Sequence, residues 1–190
     1  MTEAFYGEEL AAMERARDQV IAAIEEIRAE EARADANLVE HLLSRIKSEE
    51  SALEKCRRRG LPETRESALH ALTDAIGVRA VCPFLSGVYT LRDGLLQRFE
   101  TEVVKDYIHH AKPNGYRSLH LILRVEGYFV EVQLRTISMD NWAALEHQLR
   151  YKKNVRGNRE LLNRELKRCA EELASTDISM QTIKDMIEEE

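Results

Sequence analysis

No apolar run in the chain approaches the roughly 18 residues that a membrane span needs. The first residues, "MTEAFYGEELAAMERARD", lack the basic start and apolar stretch of a secretory leader. Cysteine is scarce. Cys56, Cys82 and Cys169 are odd in number and far apart, so neither a disulfide framework nor a thiolate metal site is spelled out. Reduced thiols, buried or half-buried, in a cytoplasmic protein are the expectation. The signatures that spacing alone can announce are missing as well: there is no GxxxxGK[ST], GxGxxG, HExxH or GxSxG. A nucleotide site in this chain is therefore of another kind. Repeats and low-complexity linkers are absent, and 190 residues read as a single domain, 1–190, with a sizeable core.

What is present is charge, unevenly placed. Charged residues make up 33% and hydrophobic residues 44% of the chain, the composition of a globular protein with much exposed helix. Residues 1–40 hold 11 Asp/Glu and 4 Lys/Arg, and residues 171–190 hold 7 Asp/Glu and 1 Lys. The net charge is −6, so these segments of −7 and −6 enclose a middle of +7. A basic focus of this size suits a small anionic ligand. Long nucleic acid is the poorer fit, because the acidic flanks repel a phosphate backbone.

Residues 3–35 read as one long helix. No Pro or Gly occurs from Glu8 to Asp35, and Leu10, Met13, Val20, Ile24 and Ile27 fall on a stripe interrupted by Arg17. Such a stripe docks a helix on a domain, and no catalytic role is attached to it. Residues 158–189 read as a second long helix. Leu162, Leu166, Cys169, Leu173, Met180, Ile183 and Ile187 keep spacings of three and four, with Thr176 as a weak member. That is an apolar seam for another helix, in this chain or in a neighbouring subunit. Between them, 41–153 changes rhythm. Arg45 and Lys47 alternate on a short strand, followed by a helix with Ser48 as its N-cap. Residues 76–84, 101–108, 118–125 and 128–136 read as strands, the last two joined at Glu126-Gly127 by a hairpin-type turn. Residues 86–99, with Ser86 as N-cap, and 139–153 read as helices. The fold class is α+β: a mixed sheet of about five strands with packed helices, bracketed by long N- and C-terminal helices.

Several residues could carry chemistry. Period 2 puts Phe129, Glu131, Gln133 and Arg135 on one face of a strand, and Val130, Val132 and Leu134 on the core side. A face with Glu, Gln and Arg side by side is either solvated or the floor of a polar cleft. Asp74 stands just before the strand "IGVRAV", where Gly77 removes bulk and Arg79 follows. Asp74 and Glu131 on adjacent strands would suit Mg²⁺, which takes one or two carboxylates plus phosphate oxygens and water. Ser51 and Lys55 are four apart on one helix face. With Arg45 and Lys47 they form a phosphate cradle at a helix N-terminus. A basic helix facing solvent is the alternative, above all for Arg57, Arg58 and Arg59. Finally, "KPNGYR" at 112–117 offers charge, a turn and one ring. Tyr116 can stack on a base, Lys112 and Arg117 can meet phosphates, Asn114 can read a base edge, and Gly115 allows a tight turn.

Taken together, "RIKSEESALEK", "TDAIGVRAVC", "VKDYIHHAKPNGYRSLHLIL", "VEVQLRT" and "MDNWAALEHQLRYKK" closely resemble the synthetase domain of the RelA/SpoT family, from about Arg45 to Lys153. Length and the two long helices resemble the stand-alone small alarmone synthetases. The His-Asp hydrolase motif of the long bifunctional members is absent. Two stretches depart from the family form: "DAIGVR" stands for "DIAGIR", and "HLLSRIK" for a form like "VTGRIK". The resemblance implies a polymerase-β-like nucleotidyltransferase fold and a GTP pyrophosphokinase. Such an enzyme moves the β,γ-pyrophosphate of ATP to the 3′-hydroxyl of GDP or GTP and releases AMP. It implies Asp74 and Glu131 as the Mg²⁺-handling carboxylates, with Glu131 also taking the hydroxyl proton. Arg45, Lys47, Ser51 and Lys55 would meet the ATP phosphates, and Arg79 the adenine. Tyr116 would stack on guanine, with Asn114, Lys112, His120, Gln133 and Arg135 at the acceptor or its phosphates. A homotetramer is the implied assembly. Related chains modify the 3′ end of tRNA or adenosine nucleotides, so those acceptors stay open, as does a catalytically silent nucleotide sensor.

Overall fold

The computed structural model describes residues 2–32, 37–151 and 159–189. In chain order the elements are α1 (Thr2–Tyr6), α2 (Glu9–Glu31), β1 (His41–Ile46), α3 (Glu49–Arg58), α4 (Arg65–His70), β2 (Ile76–Cys82), α5 (Leu85–Arg98), β3 (Glu100–Asp106), β4 (Leu119–Val125), β5 (Tyr128–Thr136), α6 (Ile137–Tyr151) and α7 (Arg159–Glu188). The strands form one mixed sheet in the order β1-β2-β5-β4-β3. All neighbours are antiparallel except β2 and β5, which run parallel. The α+β sheet read from the sequence is the architecture observed.

One face of the sheet is the core. Val130, Val132 and Leu134 of β5 are fully buried, as are Leu121 and Leu123 of β4 and Ala80 of β2. They pack against Met13, Ala16, Val20, Ile24 and Ile27 of α2 and Val88, Leu91 and Leu95 of α5. Alternation therefore sends Glu131, Gln133, Arg79 and His120 to the opposite face. The β4–β5 hairpin closes through Glu126 (φ 50°) and Gly127 (φ 87°), the positive pair that suits strand twist. Its turn is tied to α2 by Gln19 and Arg15, which both reach Glu126, and by the Tyr128 hydroxyl donating to Glu9.

The terminal helices differ from the expectation. Gly7, at φ +60°, breaks the N-terminal segment into α1 and α2, a conformation most side chains avoid. The break lets Tyr6, fully buried, donate from its hydroxyl to the Lys47 carbonyl at 2.9 Å. Helix α4 was not anticipated; Thr64 caps it by accepting from the Ser67 amide. Ser86 is not an N-cap: α5 starts one residue earlier, after Phe84, and the Ser86 amide donates to Gln181 Oε1 at 2.9 Å. Strand β3 ends at Asp106 rather than 108, because the Asp106 carboxylate accepts the amides of Ile108 and His109 and turns the chain. Positions 33–35, 152, 153 and 158 of the expected helices lie outside the described residues. Cys56 and Cys82 are buried, but Cys169 is exposed, since Ala170 occupies the packed stripe of α7 instead.

Helix α7 is continuous, but its two halves pack differently. Its first half packs on α6 through Leu166 and Ala170, with the Trp142 indole N–H donating to the Leu166 carbonyl at 2.9 Å. Asp177, buried, accepts from the Thr136 hydroxyl at 2.7 Å. Burial raises the Asp177 carboxyl above its usual range, against the hydrogen bonds from Thr136 and Ser138. In the second half Met180, Ile183, Met186 and Ile187 are exposed.

Gly115 locks the 112–117 loop to the first half. Its φ is +92°, and a Cβ there would stand 2.7 Å from Ala170 Cβ and 3.1 Å from Lys167 Cα. Gly115→Ala should lower unfolding stability by roughly 1–3 kcal/mol. Gly60→Ala is the control, because Gly60 also has a positive φ but nothing lies within 4 Å of its Cβ position. Denaturant midpoints should show the larger loss at 115; equal losses would mean that backbone strain alone, and not contact with α7, fixes the glycine.

Candidate active site

Strand register lays the open face out in two rows. Leu43, Arg79, Gln133, His120 and Lys105 stand side by side across β1, β2, β5, β4 and β3. One step along, Arg45, Gly77, Glu131, Ile122 and Val103 do the same. Gly77 has no side chain, so the floor sinks between Arg45 and Glu131. The result is a cleft of about 170 Å³ lined by Arg45, Arg79, Glu131 and Gln133 together with Leu43, Ser44 and Val78.

At one end lies Asp74, buried beneath two lysines. Lys47 Nζ is 3.1 Å from Asp74 Oδ2, and Lys55 Nζ also reaches that oxygen. The fold delivers all three. Lys47 leaves β1 with its amide bonded to the Ala75 carbonyl, and Lys55 projects from α3, whose first turn is capped by Ser48. Burial pulls the Lys47 ammonium below its usual range, and the Asp74 charge opposes it. Asp74 Oδ1 is buried and has no hydrogen-bond partner. A buried carboxylate oxygen without a donor is costly in a closed fold, and it suits a cation ligand.

Glu131 sits between this corner and the loop. Burial opposes its ionisation, but the hydrogen bond and charge of His120, the Gln133 amide and the Lys55 charge outweigh it, holding the carboxyl down at about 2. Gln133 Nε2 donates to Glu131 Oε2 at 2.9 Å, and His120 Nδ1 lies 3.3 Å from Glu131 Oε1. Among the described residues no group of three or more His, Cys, Asp or Glu is gathered for a metal. Asp74 and Glu131 could hold a divalent cation together with ligand oxygens and water, which is the habit of Mg²⁺.

At the other end the loop and α6 form a polar network. The Tyr116 hydroxyl is 2.8 Å from His120 Nε2 and accepts from Arg135 Nη2 at 2.8 Å. Arg135 also donates to Gln133 Oε1 at 2.8 Å and to Asp140 Oδ1 at 2.9 Å. Lys112 Nζ stands 4.9 Å from the centre of the Tyr116 ring. Asn114 Oδ1 accepts the Tyr116 amide at 3.2 Å and shapes the turn, while its Nδ2 donates to Glu146 Oε1 at 3.3 Å.

The structure thus brings Arg45, Arg79, Glu131 and Gln133 into the cleft, Lys47, Lys55 and Asp74 into a corner whose Lys55 charge reaches Glu131, and Lys112, Asn114, Tyr116, His120 and Arg135 onto the loop side. Ser51 stays exposed in the first turn of α3, its hydroxyl paired with that of Ser48 at 3.0 Å. One expectation changes. Arg117 turns inward to the Ile108 carbonyl instead of outward to a phosphate. Arg57 pairs with Glu63 on the surface, the solvent-facing alternative for that part of the basic helix. Three residues were missed. Asp140 Oδ1 accepts from Arg79 Nη1 at 3.2 Å as well as from Arg135, joining the two halves. Glu146 holds Asn114. Lys105 completes the row beyond His120. The motif of Lys105 was in view, and period 2 along β3 would have found it; the other two depend on where α6 docks.

Comparison with known proteins gives one answer. Residues 44–156 match the family described as "Region found in RelA / SpoT proteins", more than half of the chain. GTP pyrophosphokinase YwaC of Bacillus subtilis is 42% identical over 158 residues, covering 78% of this chain and 75% of that one. The chain also overlays the small alarmone synthetase 1 of Bacillus subtilis bound to its product pppGpp, with a TM-score of 0.78 and 28% identity over 92% of this chain and 94% of that one. With the same enzyme bound to AMPCPP the TM-score is 0.72, at 26% identity over 95% and 96%. That is the nucleotidyltransferase-type fold the resemblance implied.

Glu131 should stay ionised across the working range. A carboxyl whose folded pKa is depressed contributes stability above its unfolded pKa near 4.5, and that contribution goes as pH falls toward about 2. Carboxyl-carbon NMR should show no Glu131 titration between pH 8 and about pH 4, and His120→Ala should move the midpoint upward. A wild-type midpoint at the ordinary glutamate value would refute the role given to His120, Gln133 and Lys55.

Proposed function

The chain belongs to the RelA/SpoT family, and on that premise we propose that it is a GTP pyrophosphokinase of the small alarmone synthetase kind. It transfers the β,γ-pyrophosphate of ATP to the 3′-hydroxyl of GDP or GTP, making ppGpp or pppGpp and releasing AMP. The observation that carries the reading is the position of Glu131, between a lysine-rich carboxylate corner and a Tyr116–His120–Arg135 platform. The whole chain acts as one synthetase domain and works in the cytoplasm, where its substrates are.

ATP occupies the cleft side. Lys47 and Lys55 exchange part of their pairing with Asp74 for the triphosphate, Arg45 lies along it, and Arg79 faces the adenine. Ser51, at the N-terminus of α3, adds a hydroxyl and the helix dipole. The acceptor occupies the loop side. Tyr116 stacks on guanine, Asn114 and Gln133 position the nucleoside, and Lys112, Lys105 and Arg135 meet its phosphates. His120 orients both Glu131 and the Tyr116 hydroxyl.

The 3′-oxygen attacks the β-phosphorus of ATP, and the bond from that phosphorus to the α,β-bridging oxygen breaks. AMP leaves with the bridging oxygen. The hydroxyl proton passes to a Glu131 carboxylate oxygen. Held at about 2, Glu131 is a weak base, so alignment and charge supply most of the rate, as is general for phosphoryl transfer. Asp74 and Glu131 would hold Mg²⁺, which when bound neutralises charge on the phosphate oxygens.

The exposed Met180, Ile183, Met186 and Ile187 give α7 an apolar stripe for a second copy of the chain, and a homotetramer is the assembly proposed.

Incubation with Mg²⁺ and ATP labelled at the γ-phosphate, in parallel with GMP, GDP, GTP and tRNA, should put label on GDP and GTP. Asp74→Asn and Glu131→Gln should each lower turnover by about 10³-fold or more, with circular dichroism unchanged. Label on tRNA alone would reassign the acceptor. Near-normal rates in either mutant would remove the carboxylate assignment.

A further inference from the structure

Lys112 is held by two rings. Its Nζ stands 4.5 Å from the centre of the Tyr107 ring and 4.9 Å from that of Tyr116, both within the range of a cation–π contact. Tyr107 lies one residue past β3. The ladder still reaches it, because its amide donates to the Ser118 carbonyl at 3.0 Å. Alternation from Lys105 turns its ring to the open face. There it meets Tyr116 edge to face at 6.2 Å and His120 at 5.4 Å between centres. The Asp106 carboxylate, accepting the amides of Ile108 and His109, fixes the backbone that follows. The backbone of Lys112 is fixed as well: its amide donates to the Tyr116 carbonyl at 3.1 Å, and its carbonyl accepts from the Gly115 amide at 2.8 Å.

We propose that Tyr107 is a positioning residue of the acceptor subsite that acts through Lys112. The inference rests on the reading of Tyr116 as the guanine platform and gives a role to the ring beside it. Arg135 also stands over the Tyr116 ring, at 5.3 Å. A base that stacks on that ring takes room from Lys112 or from Arg135. Arg135 is buried and tied to Gln133 and Asp140, so Lys112, which is exposed, gives way. Left to itself, an exposed lysine turns its ammonium to solvent, because its long stem has many rotamers. Tyr107, the nearer ring, retains it. The charge then stays beside the base and available to the acceptor's phosphates. One ring serves the base while its neighbour keeps the cation.

The test is equilibrium binding of GDP and of α,β-methylene ATP to the full chain carrying Tyr107→Leu, Tyr107→Phe or a polyfluorinated phenylalanine at 107, each alone and together with Lys112→Met. Tyr107→Leu should raise the Kd of GDP roughly tenfold and that of the ATP analogue less than about twofold. Tyr107→Phe, which keeps the ring, should stay near wild type. The polyfluorinated ring has the same shape but electron density drawn off its face, and it should weaken GDP as leucine does. Its result holds even where leucine disturbs the loop. With Lys112→Met in place, no change at 107 should weaken GDP further. Continued weakening in that background would overturn the inference, by showing that the ring acts through its packing on Tyr116 or His120. An unchanged Kd for GDP in the polyfluorinated variant would also overturn it and leave the Tyr116 platform standing. A wild-type chain that binds the ATP analogue but not GDP would bring down the acceptor reading and the inference with it.

Discussion

The parallel pairing of β2 with β5 is the constraint on which the rest depends. The two strands are separated in sequence by α5, β3 and β4, yet their register sets Gly77 beside Glu131 and Arg79 beside Gln133. A slip of one residue would send every one of these side chains into the core. The register is held from below, because Val78 and Ala80 on one strand and Val130, Val132 and Leu134 on the other are buried under α2 and α5. Hydrophobic packing on one face thus fixes polar geometry on the other. Arg79 and Glu131 face one cleft without any loop having to find its place, and Asp74 stands in the turn just before β2.

The polar face compensates its own charge. Asp74 is shared by two lysines, Glu131 by a histidine and an amide, and Asp140 by two arginines. Each of these anions thus has a partner group of opposite sign or a hydrogen-bond donor within the fold. Removing the shared Asp74 carboxylate would leave Lys47, which is buried, without its charge partner, and that costs more than the pair contributes. The loop side is ordered in the same way: Tyr116 is fixed by His120, Arg135 and Trp142. Order established in the fold need not be established on binding.

Much of this was legible in the sequence. Alternation in 128–136 separated Glu131, Gln133 and Arg135 from their core neighbours, and β5 has those limits. The Ser48 cap, the Glu126-Gly127 turn and the position of Asp74 before a strand came from local chemistry, which tertiary packing did not override. What escaped was set by long-range contact. Gly7 ends α1 because Tyr6 must reach Lys47, a partner 41 residues away. Arg117 turns inward because the Ile108 carbonyl is there to receive it. The seam along 158–189 was read as one stripe, but only its first half meets α6, and no periodicity tells a helix where its partner ends. Asp140 and Glu146 sit on α6 in a motif already in view, and their roles depend on the docking of that helix over the sheet.

Asp140 shows how the two halves of the site are made one. Arg79 belongs to β2 and faces the cleft; Arg135 belongs to β5 and faces the loop. Both guanidinium groups donate to the same carboxylate oxygen, at 3.2 and 2.9 Å. A shared acceptor makes the positions of the two donors interdependent, since neither can withdraw without altering the field at the other. Asp140 itself is carried by the first turn of α6, and α6 is anchored through Trp142 to α7, whose Ala170 presses on Gly115 of the loop. The chain of contact runs from β2 through α6 and α7 back to the loop, and it closes at Tyr116 and His120 beside Glu131. The placement of the loop and the orientation of the cleft arginines are therefore consequences of one packing arrangement.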